Sequence, residues 1–203
     1  MRTLLVIPLI LASTAARAED ITYTPFVEVR AVDAPCRAFA EVPPTATTLG
    51  PSYDAAISTA SCMVSTRTRS LRVDATADSV AALDAAVAPA LAILDRVIRV
   101  ADTEHKLIAY YVKADILSGN TARLLATLPE ISPQVTSKEV RERAALVRSA
   151  DALTLRWRQR ALASRREIVR LAGREPDIVV RNPIVARMVV ETRLGPTAGV
   201  AAR

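Results

Sequence analysis

The sequence predicts an all-α protein, a small helical bundle built on two long antiparallel helices over about residues 79–117 and 137–172. Shorter helices flank them, and one disulfide is expected. Apolar residues recur at spacings of three and four along both stretches, which is the period of an amphipathic helix. Aromatic residues make up only 3% of the chain, and the abundant alanine favours helices over a large β core. The two cysteines are Cys36 and Cys62, enough for a single disulfide.

Residues 1–18 have the composition of a cleavable secretory signal peptide. Arg2 supplies a basic start, an apolar run covers residues 4–12, and residues 16–18 read Ala-Arg-Ala, a small-x-small cleavage pattern. The run is roughly half of the about 20 residues that a membrane-spanning helix needs. We therefore expect an exported protein, periplasmic or secreted, that begins near Glu19 after cleavage. An uncleaved N-terminal anchor is the alternative.

The charge pattern after the signal peptide predicts no transmembrane segment, because charges interrupt the long helical stretches every few residues. The full chain has 27 Lys and Arg against 21 Asp and Glu. Removal of Arg2 and Arg17 leaves 25 against 21, a net charge of +4. The remaining chain, about 185 residues, is the size of one domain.

Cys36 and Cys62 are interpreted as a disulfide, because an even pair in an oxidising compartment is read first in that way. Closing the loop between them would stabilise the fold by roughly 3.5 kcal/mol in the chain-entropy model. A metal pair would need further ligands, and a redox dithiol usually has a Cys-x-x-Cys spacing. We expect the bond to hold an irregular N-terminal segment, residues 19–51, against a helical domain over residues 52–195.

The N-terminal segment carries few signals of regular structure. Alternating apolar residues over 21–29 resemble a strand, but Pro25 interrupts them. Residues 42–51 are rich in Pro and Thr and are predicted to be loop. Ser52 is the predicted N-cap of the first helix, whose apolar positions are Ile57, Ala60, Cys62 and Val64.

The strongest apolar seam begins after Ser79 and is expected to end at residues 118–120, Ser-Gly-Asn. Pro89 is expected to kink this helix, because it removes one backbone hydrogen bond. Residues 102–103, Asp-Thr, resemble a turn with a new N-cap, so two helices that meet there are a real alternative. The seam consists of Val80, Leu83, Val87, Leu91, Leu94, Ile98, Ala101, His105, Ile108, Val112 and Ile116.

The second long helix is predicted to begin at a capping box formed by Thr136 and Glu139 and to stop at Gly173. Near-equal helices on a short connector most simply pack antiparallel within one chain, and a dimeric coiled coil is the alternative. A last helix is predicted from Asn182 as N-cap to Gly195, followed by a disordered tail over residues 196–203. The apolar face of the second long helix has Leu146, Val147, Ala150, Leu153, Trp157, Ala161, Ile168 and Leu171.

Arginines on the second long helix form two sets. At 100° per residue, one set falls within about 80° of the helix circumference and faces away from Trp157 and Ile168. We call this set the arginine strip: Arg141, Arg148, Arg156, Arg166, Arg170 and Arg174. The other set flanks the apolar face, where it is expected to pair with an acidic row on the first helix. This second set is Arg143, Arg158 and Arg165, opposite Asp84, Asp95 and Asp102.

Chemical motifs are missing from the sequence. His105 is the single histidine and has at most one carboxylate on its helical face, so we expect a histidine packed at a helix junction. No phosphate loop, haem motif, EF-hand loop or nucleophile elbow is present. We therefore predict no catalytic residues, no metal and no cofactor.

The predicted function is that of an exported, non-catalytic helical protein with a binding or envelope-structural role. The first alternative is a module whose arginine strip binds an anionic partner, either lipid headgroups, an envelope polymer or an acidic protein. Nucleic acid is not expected, because the chain is exported and the strip lacks aromatic residues for base stacking. The second alternative is an enzyme that uses His105 or scattered carboxylates.

Overall fold

The computed structural model describes residues 26–43, 46–128 and 136–194, and within these ranges the regular structure is entirely helical. The predicted all-α bundle is therefore confirmed. The predicted signal peptide, the stop at Gly195 and the tail over 196–203 lie outside the described residues. The helices are α1 (Arg37–Ala40), α2 (Gly50–Arg69), α3 (Ala77–Val100), α4 (Thr103–Leu125), α5 (Ser137–Arg174), α6 (Pro176–Arg181) and α7 (Pro183–Leu194).

The continuous helix expected over 79–117 is wrong, and the alternative of two helices is confirmed. Asp102 caps α4, because its carboxylate accepts a hydrogen bond from the backbone N–H of His105 at 3.0 Å. Lys113 on α4 forms an ion pair with Asp95 on α3. These residues would lie about 27 Å apart along one straight helix. The chain therefore reverses at residues 101–102, and α3 and α4 form a helical hairpin.

Two other helix ends differ from the prediction. α4 continues through Gly119 to Leu125, because Leu117 and Leu124 are fully buried and their packing outweighs the roughly 1 kcal/mol that a helical glycine costs. α2 begins at Gly50, with Pro51 in its first turn. Ser52 is therefore not its N-cap but a buried residue inside the helix.

The four long helices run up, down, up and down. Tyr53 on α2 packs against the His105 ring on α4, with ring centroids 5.2 Å apart. At the opposite end, Arg123 of α4 donates to the carbonyl of Leu71, just after α2. These contacts make α2 and α4 parallel, with α3 antiparallel to both.

α5 runs antiparallel to α4, the neighbour with which it packs most extensively. Thr103 at the start of α4 donates to the carboxylate of Glu175, just past α5, at 2.6 Å. Further along, Arg165 of α5 donates to the Ser118 hydroxyl of α4 at 2.9 Å. The predicted antiparallel pair therefore exists, but its first member is α4 rather than a helix over residues 79–117.

The main core forms between α2, α3, α4 and α5, and Trp157 is its largest fully buried side chain. The Trp157 indole Nε1–H donates to Asp84 Oδ1 on α3 at 2.7 Å. α7 covers the other end of α4 and α5. A second apolar cluster lies there, with Leu107, Ile168, Ala172, Ile178, Val185 and Val189.

Arg158 and Arg165 do not form the predicted pairs with the acidic row of α3, because Arg158 pairs with Asp151 and Arg165 donates to Ser118. Asp84 accepts from Trp157, Asp95 pairs with Lys113, and Asp102 binds His105. The hairpin at residues 101–102 explains the difference, because it rotates Asp95 toward α4 and leaves Asp102 at the bundle end.

The N-terminal segment is packed against α2. The sulfur atoms of Cys36 and Cys62 lie at bonding distance as a disulfide, with Cα atoms 5.6 Å apart. Arg67 donates two hydrogen bonds to the Asp33 carboxylate, at 2.7 and 3.0 Å, and these hold the pKa of Asp33 below its usual value. Val32, next to Asp33 in the chain, is buried. The segment expected to be irregular thus contributes to the core through short helical turns.

α3 is long and apolar enough to cross a membrane by length and composition, with a mean hydropathy of 1.6 over its most apolar window. This finding corrects the expectation that no segment after residue 18 meets that test. Within the bundle, one side of α3 forms core through Leu83, Val87 and Leu94. Its Asp84 carboxylate is held by the Trp157 indole. Within the described bundle, 28% of that window is buried.

We predict that Trp157→Phe lowers the free energy of unfolding by about 1–3 kcal/mol, because it removes the indole donor and leaves a small cavity. Urea denaturation followed by circular dichroism measures the change. Asp84→Asn keeps an acceptor oxygen and should lose less than Asp84→Leu. Equal losses for those two variants would show that the hydrogen bond contributes nothing.

We also predict that the Cys36→Ser/Cys62→Ser double variant loses roughly 3.5 kcal/mol of unfolding free energy, since the unfolded chain regains the entropy of the open loop. Urea denaturation of wild type in the presence of a thiol reductant is the control and should show the same loss. A double variant as stable as oxidised wild type would show that the disulfide does not stabilise the fold.

Candidate anion-binding face of helix α5

α5 begins at the predicted capping box, which is confirmed. The Thr136 hydroxyl accepts from the Glu139 backbone N–H at 3.3 Å, and the Glu139 carboxylate accepts from the Thr136 backbone N–H at 2.7 Å. The carboxylate accepts hydrogen bonds from both the backbone N–H and the hydroxyl of Thr136, and these keep the pKa of Glu139 below its usual value. The helix ends at Arg174, one residue beyond the predicted glycine stop, and Gly173 is its penultimate residue.

One side of α5 is buried, and it sets the rotation of the helix. The first buried residue is Ala150, so the turns before it project from the core. Leu146, which was predicted on the apolar face, is 44% exposed for this reason. The buried residues are Ala150, Thr154, Trp157, Ala161, Ser164, Ile168 and Ala172.

The arginine strip lies on the opposite side, and all six of its residues are exposed. Arg148, Arg166 and Arg174 form no hydrogen bond or ion pair with any residue that the structure describes. Arg141 donates to the backbone carbonyl of Ser137 at 3.2 Å. Arg170 is the member with a carboxylate partner, Glu167 at 2.6 Å. From end to end the strip follows about 50 Å of helix.

Arg156 differs from the rest of the strip, because it lines a groove between α3 and α5. The groove has a volume of about 410 Å³. Its α3 wall carries the carboxylates of Asp84 and Asp95, and its α5 wall carries Arg156 and Arg160. Arg156 therefore has acidic groups near it, whereas Arg148 and Arg166 have solvent.

An exposed apolar line runs beside the strip. Leu155 and Leu162 are each 49% exposed and Val169 is 38% exposed. They follow one another at intervals of seven residues, which places them about two turns apart on one side of the helix. Sequence reasoning missed them because it assigned apolar residues to the core seam. Their seven-residue spacing, about 120–160° away from Trp157, was the signal that could have found them.

His105 lies at the junction of α3 and α4, where it was expected. Its ring Nδ1 is 2.7 Å from Asp102 Oδ2, and its Nε2 is 3.6 Å from Asp54 Oδ1 on α2. The ring packs against the ring of the buried Tyr53. Both ring nitrogens thus face carboxylates, and no serine, threonine or cysteine of the described ranges hydrogen-bonds to the ring. The arrangement joins three helix ends.

The Asp102 carboxylate both caps α4 and binds the His105 ring at this junction. Burial pushes its pKa upward, but hydrogen bonds from the backbone N–H and ring of His105 outweigh burial, and the pKa is lower than usual. Asp102 therefore stays ionised and caps α4.

Among the residues that the structure describes, no group of three or more His, Cys, Asp or Glu side chains is arranged to hold a metal ion.

No protein-family model, curated protein sequence or solved structure matches this chain. Any function proposed for it therefore rests on the chain's own residues.

We predict that Asp102→Ala lowers the unfolding free energy by about 1 kcal/mol, because α4 loses its N-cap, and that Asp102→Asn loses less, because asparagine also caps helices. Urea denaturation measures both. If the two variants lose equally, the charge of Asp102 matters more than its capping bond.

The lowered pKa of Asp102 predicts that the unfolding free energy depends on pH. A carboxyl group whose pKa is lowered in the folded state stabilises the fold above its unfolded pKa, near 3.9, and that contribution disappears as pH falls through the folded pKa. Unfolding free energies at a series of acidic pH values should therefore fall less steeply for Asp102→Asn than for wild type. Asp54→Asn, on the other side of the His105 ring, is the control. An unchanged slope in Asp102→Asn would refute this contribution.

Proposed function

We propose that this chain is an exported, non-catalytic binding protein whose arginine strip on α5 binds an anionic surface of the cell envelope. The observation that carries the proposal is the exposure of all six strip arginines on one side of the longest helix, opposite its buried side. Three of them, Arg148, Arg166 and Arg174, are without partners among the described residues. Their guanidinium groups are available to phosphate, sulfate or carboxylate groups.

The arrangement of charges supports binding to an extended surface rather than to a single small ion. The strip follows about 50 Å of one helix, and of its six arginines only Arg156 lines the groove between α3 and α5. Arginines of this kind contribute about 1 kcal/mol each near an anionic surface at physiological salt. Several of them acting together give useful binding, although each is screened when alone.

Repulsion between arginines within the strip supports the same interpretation. Arg166 and Arg170 are like charges four residues apart, which destabilises a helix by a few tenths of a kcal/mol. Glu167 relieves Arg170, but no described carboxylate pairs with Arg166. An external anion would remove this repulsion, so binding and helix stability would act in the same direction.

His105 offers less support for an enzyme. Its ring is held between Asp102 and Asp54 and against Tyr53, at the joint of three helices. Its side chain is only 15% exposed. A structural role accounts for each of these contacts.

We predict that replacing Arg148, Arg166 and Arg170 by Glu lowers affinity for an immobilised sulfated polysaccharide by at least about 100-fold, since three favourable charges become repulsive. The wild-type protein should elute at higher salt than the variant. The measurement is the salt concentration at elution, with circular dichroism to show that both proteins are helical.

The matched control is the triple variant Arg69→Glu, Arg72→Glu and Arg99→Glu. It makes the same change in net charge at three exposed arginines outside α5. We expect it to elute close to wild type. Equal elution of the two triple variants would show that net charge alone is responsible, and a wild type that is not retained would refute the proposed function.

A further inference from the structure

The exposed apolar line of α5 has arginines on both of its sides. At 100° per residue, Leu155, Leu162 and Val169 occupy an arc of about 40°. The arginine strip borders this arc on one side, through Arg148 and Arg166, both exposed. Arg158 and Arg165 border it on the other side.

We propose that this face of α5 binds the surface of an anionic lipid bilayer, a proposal that rests on the function proposed above and names its ligand. Leu155, Leu162 and Val169 enter the headgroup region, and Arg148 and Arg166, which are exposed beside them, bind lipid phosphates. A helix that lies in a membrane interface has an apolar stripe bordered by basic residues. Arginine side chains are long enough to reach the phosphates while their methylene groups stay in the apolar layer.

The position of this face in the bundle makes such binding possible without unfolding. Trp157 and Ile168 fix the opposite side of α5 in the core. The apolar line extends for about 21 Å along the helix, from Leu155 to Val169. All three side chains are exposed in the folded bundle, so contact with an external surface does not require the core to open.

A second copy of this chain is a poorer occupant of the same face. Two copies packed through their apolar lines would bring the bordering arginines of both helices together, and like charges at an interface oppose association. At 100° per residue Asp151 lies at the same angle as Val169 and pairs with Arg158, whereas Glu167 lies about 140° from Leu162 and pairs with Arg170.

A partner helix is also poorly matched. A coiled-coil seam needs apolar residues at alternating spacings of three and four, so that each knob fits a hole. Between the members of the apolar line, those positions hold Gln159 and Arg166, and Gly173 follows Val169. One row of aliphatic side chains is too narrow for such a seam but suffices for shallow insertion into lipid.

The test compares binding to vesicles of phosphatidylglycerol and phosphatidylcholine in equal parts with binding to pure phosphatidylcholine vesicles, by co-sedimentation of the full chain. Wild type should bind only the mixed vesicles. The variant Leu155→Ser/Leu162→Ser/Val169→Ser should bind them at least about tenfold more weakly, and its elution from the sulfated polysaccharide should be unchanged. The matched control, Val180→Ser/Ile184→Ser/Leu194→Ser, changes three exposed aliphatic residues outside α5 and should bind like wild type.

Insertion of the apolar line into the bilayer can be measured separately, by fluorescence quenching. Trp157 is the only tryptophan in the chain and faces the core. Lipids brominated on their acyl chains should therefore quench the fluorescence of Leu162→Trp when it is bound, and leave most of the wild-type fluorescence. Absence of this quenching in Leu162→Trp overturns insertion.

The remaining outcomes separate this proposal from the function on which it rests. If the apolar triple variant binds mixed vesicles as wild type does, the bilayer proposal fails, while arginine-dependent retention on the polysaccharide still supports the proposed function. If wild type ignores both vesicles and polysaccharide, both fail. If it ignores vesicles but binds an acidic amphipathic peptide, a protein partner replaces the bilayer.

Discussion

The burial of Trp157 is the constraint on which the rest of the structure depends. Its indole fills the space between α3 and α5, and its N–H must reach an acceptor because a buried donor without one is costly. Asp84 meets that need from α3. Once the indole is placed, the rotation of α5 about its axis is fixed, and with it the direction in which every other side chain of the helix points.

The arginine strip follows from that rotation. Residues on the side of α5 opposite Trp157 have no helix to pack against in the described bundle, and charged side chains are the ones that water stabilises there. Solvation does not explain Leu155, Leu162 and Val169, which lie between the strip and the core and remain substantially exposed. The arginines have a simple explanation as a solvated face, whereas the three aliphatic residues make this face unusual.

The sequence was most informative where the signal was local. The capping box at Thr136 and Glu139 is a pattern of four residues that contains its own hydrogen-bond partners, and it is confirmed. The cap of α7 is similar, because Asn182 accepts from the backbone N–H groups of the two residues after Pro183. Two cysteines in one chain also left few alternatives. In each case the residues that decide the structure are close in sequence or unique.

Prediction failed where packing partners decided between local options. The stretch around Asp102 fits a continuous seam and a capped turn equally well, and only Lys113 and the core of α4 select the hairpin. Gly119 looked like a helix stop because its backbone freedom is a local property, whereas the burial of Leu117 and Leu124 is a tertiary one. The apolar line of α5 was missed for the same reason, since a leucine on a helix is assigned to the core until the neighbours of the helix are known. The exposed side of α5 can therefore be identified as a candidate site only when the buried side of the helix, marked by Trp157, is known.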